Sequence, residues 1–128
     1  MMGRGGGGAR GGGGGGALAA AASSGQLSKS QVSALGKLDG AWHEFDTTGS
    51  QTTNRAVSIS YWERGDAARY YVNIGIRSRK PRQGSMGYID AKTGVVVGNG
   101  YSKTDIGRAL AAIYKGESNR LPYGLYSR

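Results

Sequence analysis

Two runs of alternating residues on either side of Glu63-Arg64-Gly65-Asp66-Ala67 do more than any other feature to limit what this chain can fold into. In the first run Val57, Ile59 and Tyr61 share one side and Ser58, Ser60 and Trp62 the other. The second sets Tyr70, Val72, Ile74 and Ile76 against Arg69, Tyr71, Asn73, Gly75 and Arg77. Period two is the repeat of a half-buried strand, and a glycine suited to positive φ at the corner joins the two runs as a hairpin. A two-residue loop at Gly65-Asp66 pairs Arg64 with Ala67, Trp62 with Arg69 and Ser60 with Tyr71. A four-residue loop keeps the parity and pairs Trp62 with Tyr71 instead. In either register the Val/Ile/Tyr side is the core side, and Ser58, Ser60, Trp62, Arg64, Arg69, Tyr71, Asn73, Arg77 and Arg79 collect on the other.

The flanking segments supply the rest of an α+β domain. Ser28 and Gln31 have the spacing of a capping box, Leu27 can staple onto Val32, and Val32, Leu35 and Leu38 share a helical face. A helix is therefore predicted from about Lys29 to Leu38, stopped by Asp39-Gly40. Ala41 to Phe45 reads as a strand and Asp46 to Asn54 as a loop. Ser85 to Asp90 is a further strand, Asp90-Ala91-Lys92-Thr93-Gly94 a type I turn closed by a glycine bulge, and Val95-Val96-Val97 the next strand. Ser102, with Asp105 three residues on, opens a last helix striped by Ile106, Leu110 and Ile113 and followed by Gly116. The expected fold is an antiparallel meander of four to five strands with an N-terminal and a C-terminal helix packed on it. The expected organisation is a disordered Gly/Ala-rich tail over residues 1–25, one domain over 26–120 and a Tyr-containing tail over 121–128. The first tail holds 12 of the 25 Gly and no aromatic residue, so burial cannot offset its backbone entropy.

Charge then suggests a partner. The chain of 128 residues has 17 Lys plus Arg against 8 Asp plus Glu, a formal +9, and no Cys, which excludes disulfides and thiolate metal sites. Arg4 and Arg10 alone lie in the tail, so +7 belongs to residues 26–128. Strong positive charge favours a polyanion. The side of the hairpin bearing Trp62, Arg64, Arg69 and Tyr71 continues into Arg77, Arg79, Lys80 and Arg82. Rings that stack bases beside guanidinium groups that meet phosphates have the composition of a single-strand or RNA-binding sheet. Two plainer readings compete with it. One is an ordinary solvated sheet face, and the other a face covered by the first helix and Trp42, which would place Trp62 in the core. A protein-binding surface facing an acidic partner is the alternative function.

Other motifs carry less. Val95 to Thr104 shares the strand, glycine loop, Lys-Thr, helix order of a phosphate-binding loop, but Val97 and Ser102 stand where that motif needs Gly, and Asp105 is negative in the first helical turn. A nucleic-acid phosphate at this helix start, with Lys103, is the remaining reading. Asp39, Glu44 and Asp46 surround the one His, His43, and a surface ion network is expected in place of a metal or general-base site. No cofactor, metal or enzymatic activity is expected. Arg4-Gly5-Gly6 and Arg10-Gly11-Gly12 are RGG units in what reads as a spacer. No apolar run approaches a membrane span, and Ala17 to Ala22 lies too far beyond polyglycine for a signal peptide, so the reading is cytoplasmic. Val95 to Val97, as an edge strand, would allow a homodimer.

The opening Met2-Gly3-Arg4-Gly5-Gly6 resembles the Gly-Arg-Gly start of small proteins encoded in phage head-morphogenesis regions of prophages. That resemblance covers these first residues alone and carries over no site residue. It implies a phage or other mobile element as source, and with it the host cell cytoplasm. Short basic chains of that origin are commonly nucleic-acid binders, virion components or inhibitors of host machinery.

Overall fold

The computed structural model describes residues 11–38, 42–45, 55–76 and 82–115, of which 11–16, 44, 55, 76, 82 and 83 are described by backbone alone. Along the chain run α1 (Gly11–Ser24), α2 (Lys29–Leu35), β1 (His43–Phe45), β2 (Arg55–Arg64), β3 (Ala67–Ile76), β4 (Arg82–Asp90), β5 (Val96–Gly98) and α3 (Lys103–Lys115). The strands form one antiparallel sheet in the order β1-β2-β3-β4-β5. This is the α+β meander that the alternation and turn signals imply.

The central hairpin closes with the two-residue loop. Arg64 pairs with Ala67, Trp62 with Arg69 and Ser60 with Tyr71, and Gly65 takes φ 59° at the corner. One face of the sheet carries the core, in which Val57, Ile59, Val72, Ile74 and Ile89 cluster with Leu35 and with Ile106, Leu110 and Ile113 of α3. Tyr61 has the parity of that face yet is 52% exposed, because the hairpin tip is exposed from Glu63 to Asp66 and is not covered there. Its ring leans on Tyr70 at 5.0 Å, and its hydroxyl donates to Glu63 Oε1 at 3.2 Å.

Between β3 and β4 the register slips, with Val72 opposite Gly87 but Asn73 opposite Ser85. The extra residue of this bulge is Met86, which is buried in the core. The bulge is pinned by Ser85, whose hydroxyl donates to Gly87 O and accepts from Gly87 N. β4 also starts earlier than Ser85. Arg82, expected in a basic loop, is its first residue and sits opposite Ile76. The long β3 offers a partner backbone that far, and pairing overrides the low strand preference of Gly84.

The helix ends follow local chemistry. Ser28 and Gln31 form the capping box of α2, which stops at Leu35 with Gly36 as its cap, earlier than the expected Leu38. Two further turn bonds, Lys37 N to Ala34 O and Leu38 N to Leu35 O, carry the chain on. Ser102 and Asp105 form the matching box at the start of α3, with Asp105 N donating to Ser102 Oγ and Ser102 N to Asp105 Oδ2. Asp90 Oδ1 accepts from Lys92 N and Thr93 N, and Gly94 at φ 81° closes the expected turn.

Two expectations are corrected. Residues 1–25 are not a tail throughout, since Gly11–Ser24 is helical and buries Leu18 and Ala22 in the core. The cause is tertiary. Gly107 of α3 has no side chain where a Cβ would come within 2.7 Å of Ala19 O, so α1 lies close against α3 through small residues. The β5 edge is not open where a second copy was expected to pair. Val96 N donates to Gly25 O at 3.0 Å, Gln26 bridges Val95, and Leu27 N donates to Gly94 O at 2.8 Å. The α1–α2 linker thus takes the outer side of Val95 and Val96. Among the described residues no helix is long and apolar enough to cross a membrane. The expected C-terminal tail over 121–128, together with Arg4 and Arg10, lies outside the described residues.

Candidate functional site

All three helices contribute to the core on one side of the sheet, which among the described residues leaves the other side to the sheet's own side chains. Register sets them in rows. Ser60, Tyr71, Tyr88 and Val97 form one row across β2 to β5, and Trp62, Arg69 and Asp90 the next. Arg69 is the centre of this patch. Its guanidinium carbon stands 4.2 Å from the Tyr88 ring centre and 5.3 Å from that of Trp62, while Nη1 donates to the Tyr71 hydroxyl at 2.9 Å. The bond to Tyr71 holds the Arg69 pKa above its ordinary value, partly opposed by desolvation and helped by Asp90. Trp62 meets Tyr71 edge to face at 6.1 Å, and Tyr71 meets Tyr88 at 5.6 Å. Asn73 Nδ2 ties the rim by donating to Ser58 Oγ and Ser60 Oγ.

The face is closed at one end and open at the other. Trp42, one position beyond the His43–Val57 pair and so alongside Ser58, is 5% exposed, as Ala56 and Ser58 are also buried. Trp62, Arg69, Tyr71 and Tyr88 are half-buried, and Ser60 and Arg64 are exposed. Trp62 is therefore neither core nor a free surface ring. Next to Tyr88, Val97 and Val95 form an apolar margin, 37% and 40% exposed. Compared with protein-family models, curated proteins and solved structures, the chain matches none.

The structure therefore brings together Trp62, Arg69 and Tyr71, with Arg64 beyond them at the hairpin tip. Arg77, Arg79 and Lys80 lie outside the described residues, and Arg82 is described by backbone alone. Lys103 is not part of this face. It begins α3 on the helical side, with its Nζ over Gly25, and the Ser102–Asp105 box uses two of the backbone N–H groups there and places the Asp105 carboxylate in the first turn, which disfavours a phosphate. His43 is 1% exposed and pairs with Val57 on the core side, so it does not sit in a surface ion network. The parity of a three-residue strand could not be read locally. Asp39 and Asp46 lie outside the described residues, and no group of three or more metal-ligating side chains occurs among those described. Tyr88 lies beyond the reach of the hairpin's parity, which assigns it no face. Its alternation with Ile89 was a usable signal, but the Met86 bulge breaks the count from Ser85.

Proposed function

We propose that the open sheet face binds unpaired nucleic acid, single-stranded DNA or RNA, with little sequence preference, and that the protein is a binding protein in place of an enzyme. The observation that carries this reading is the set of three rings, Trp62, Tyr71 and Tyr88, gathered round one guanidinium on a face no described helix covers. Every base offers a π face to such rings, whereas a duplex keeps its bases stacked inside. Arg64, Arg77, Arg79, Lys80 and Arg82 supply phosphate contacts, in keeping with the net +9 of the chain. A cytoplasmic setting completes the proposal.

The exposed Val95–Val97 margin supports a second reading, a protein-interaction module that docks on an acidic surface of a virion or host protein. Fluorescence anisotropy with labelled oligo-dT, oligo-rU and a duplex separates the two. Single strands are expected to bind, weakening steeply with salt, and Trp62→Ala and Arg77→Glu to weaken them further. Absence of any single-strand binding at about 50 mM salt, where phosphate contacts are still strong, would overturn the first reading.

A further inference from the structure

Arg69 is placed differently from a residue that reaches for phosphate. Two rings lie within cation–π range of its guanidinium, Tyr88 at 4.2 Å and Trp62 at 5.3 Å, and Nη1 donates to the Tyr71 hydroxyl at 2.9 Å. Across the register stands Asp90, whose negative charge acts on the same guanidinium and disfavours an incoming anion. We infer that Arg69 is a positioning residue that locks Trp62, Tyr71 and Tyr88 into one platform, and that the platform takes the π faces of unpaired bases and not a phosphate. The inference rests on the proposed binding reading and deepens it.

The physical basis is preorganisation. Three rings on neighbouring strands can each rotate about χ1 and χ2, and a ligand would have to order them. A planar cation within reach of both Trp62 and Tyr88 holds them through attraction to their faces, and its bond to Tyr71 fixes the third. Lysine keeps the charge but lacks the plane and the fork, so charge alone cannot replace the arginine here. A phosphate anchor would behave in the opposite way. Lysine would serve in its place, and loss of the charge would remove about 0.7 from the salt slope for a single strand.

The test measures oligo-dT affinity at several salt concentrations for the unsubstituted protein and for Arg69→Lys, Arg69→Gln, Tyr71→Phe and Arg64→Gln, with near-ultraviolet circular dichroism of each free protein. Positioning predicts that Arg69→Lys and Arg69→Gln each lose about tenfold in affinity, within the range of one base stack, with the salt slope unchanged. Tyr71→Phe loses less, and all three flatten the aromatic dichroism. Arg64→Gln keeps the dichroism and lowers the slope by about 0.7. Full binding by Arg69→Lys, or a slope lowered by Arg69→Gln, would overturn the inference. If Arg69→Gln fails to fold, Tyr71→Phe carries the same decision, since it removes one hydroxyl from a half-buried ring. The dichroism needs no ligand, so an unsubstituted protein that binds no oligonucleotide overturns the functional reading, while unchanged dichroism in Arg69→Lys overturns the positioning role itself.

Discussion

Gly94 and Asp90 fix the turn that brings β5 back along β4, each by a different physical device. Gly94 sits at φ 81°, and a Cβ there would run into the carbonyl of Leu27. Gly94→Ala is expected to cost about 2 kcal/mol or more, since it adds backbone strain to a clash with main chain that cannot move aside. Urea unfolding measures it, and a midpoint equal to that of the parent would count against the assignment. The Asp90 carboxyl is held below its ordinary value, first by the N–H of Thr93, then by that of Lys92. A folded pKa below the unfolded one stabilises the fold above about pH 3.9 and loses that contribution as pH falls through the folded value. Asp90→Asn should therefore show a shallower fall of Tm than the parent as the pH drops below about 4, while parallel acid limbs would refute the role.

At the scale of elements, α1 shows what one neighbour can do for a weak helix. Gly11–Gly16 has the poorest helix propensity short of proline, and Leu18 and Ala22, with Ala21 packed beside them, are what α1 contributes to the core. Its docking depends on the bare backbone at Gly107, so Gly107→Val should release α1 from α3. Hydrogen exchange is expected to show lost protection for α1 amides while those of β2, β3 and β4 stay protected. Retained protection in α1 would show that the close approach is not what holds it. The other two helices each carry a capping box at the N-terminus. Ser102→Ala removes the cap of α3 and should cost about 1 kcal/mol of stability by chemical denaturation.

For the whole molecule the sheet acts as a partition. The helical layer and Lys103 lie on one side, and the Trp62–Arg69–Tyr71–Tyr88 platform on the other. If single strands bind the platform, Tyr88→Ala should weaken oligo-dT by about tenfold or more, whereas Lys103→Ala should change it by less than about twofold. Equal losses from both would place the ligand elsewhere. The side-chain alternation around Gly65-Asp66 determined the hairpin and the sorting of Trp62, Arg69 and Tyr71 to one face, because parity is local and extends over ten residues of β2 and ten of β3, whereas the choice of the two-residue over the four-residue loop, which share that parity, was made by the folded structure. Capping boxes at Ser28 and Ser102 were equally local. Tertiary structure alone decided that Gly11–Ser24 is helical, that His43 is buried, that Tyr88 joins the platform past the Met86 bulge, and that Lys103 is cut off from it. Each of those turns on a surface supplied by a distant segment, a contact whose energy is not written in any short run of residues.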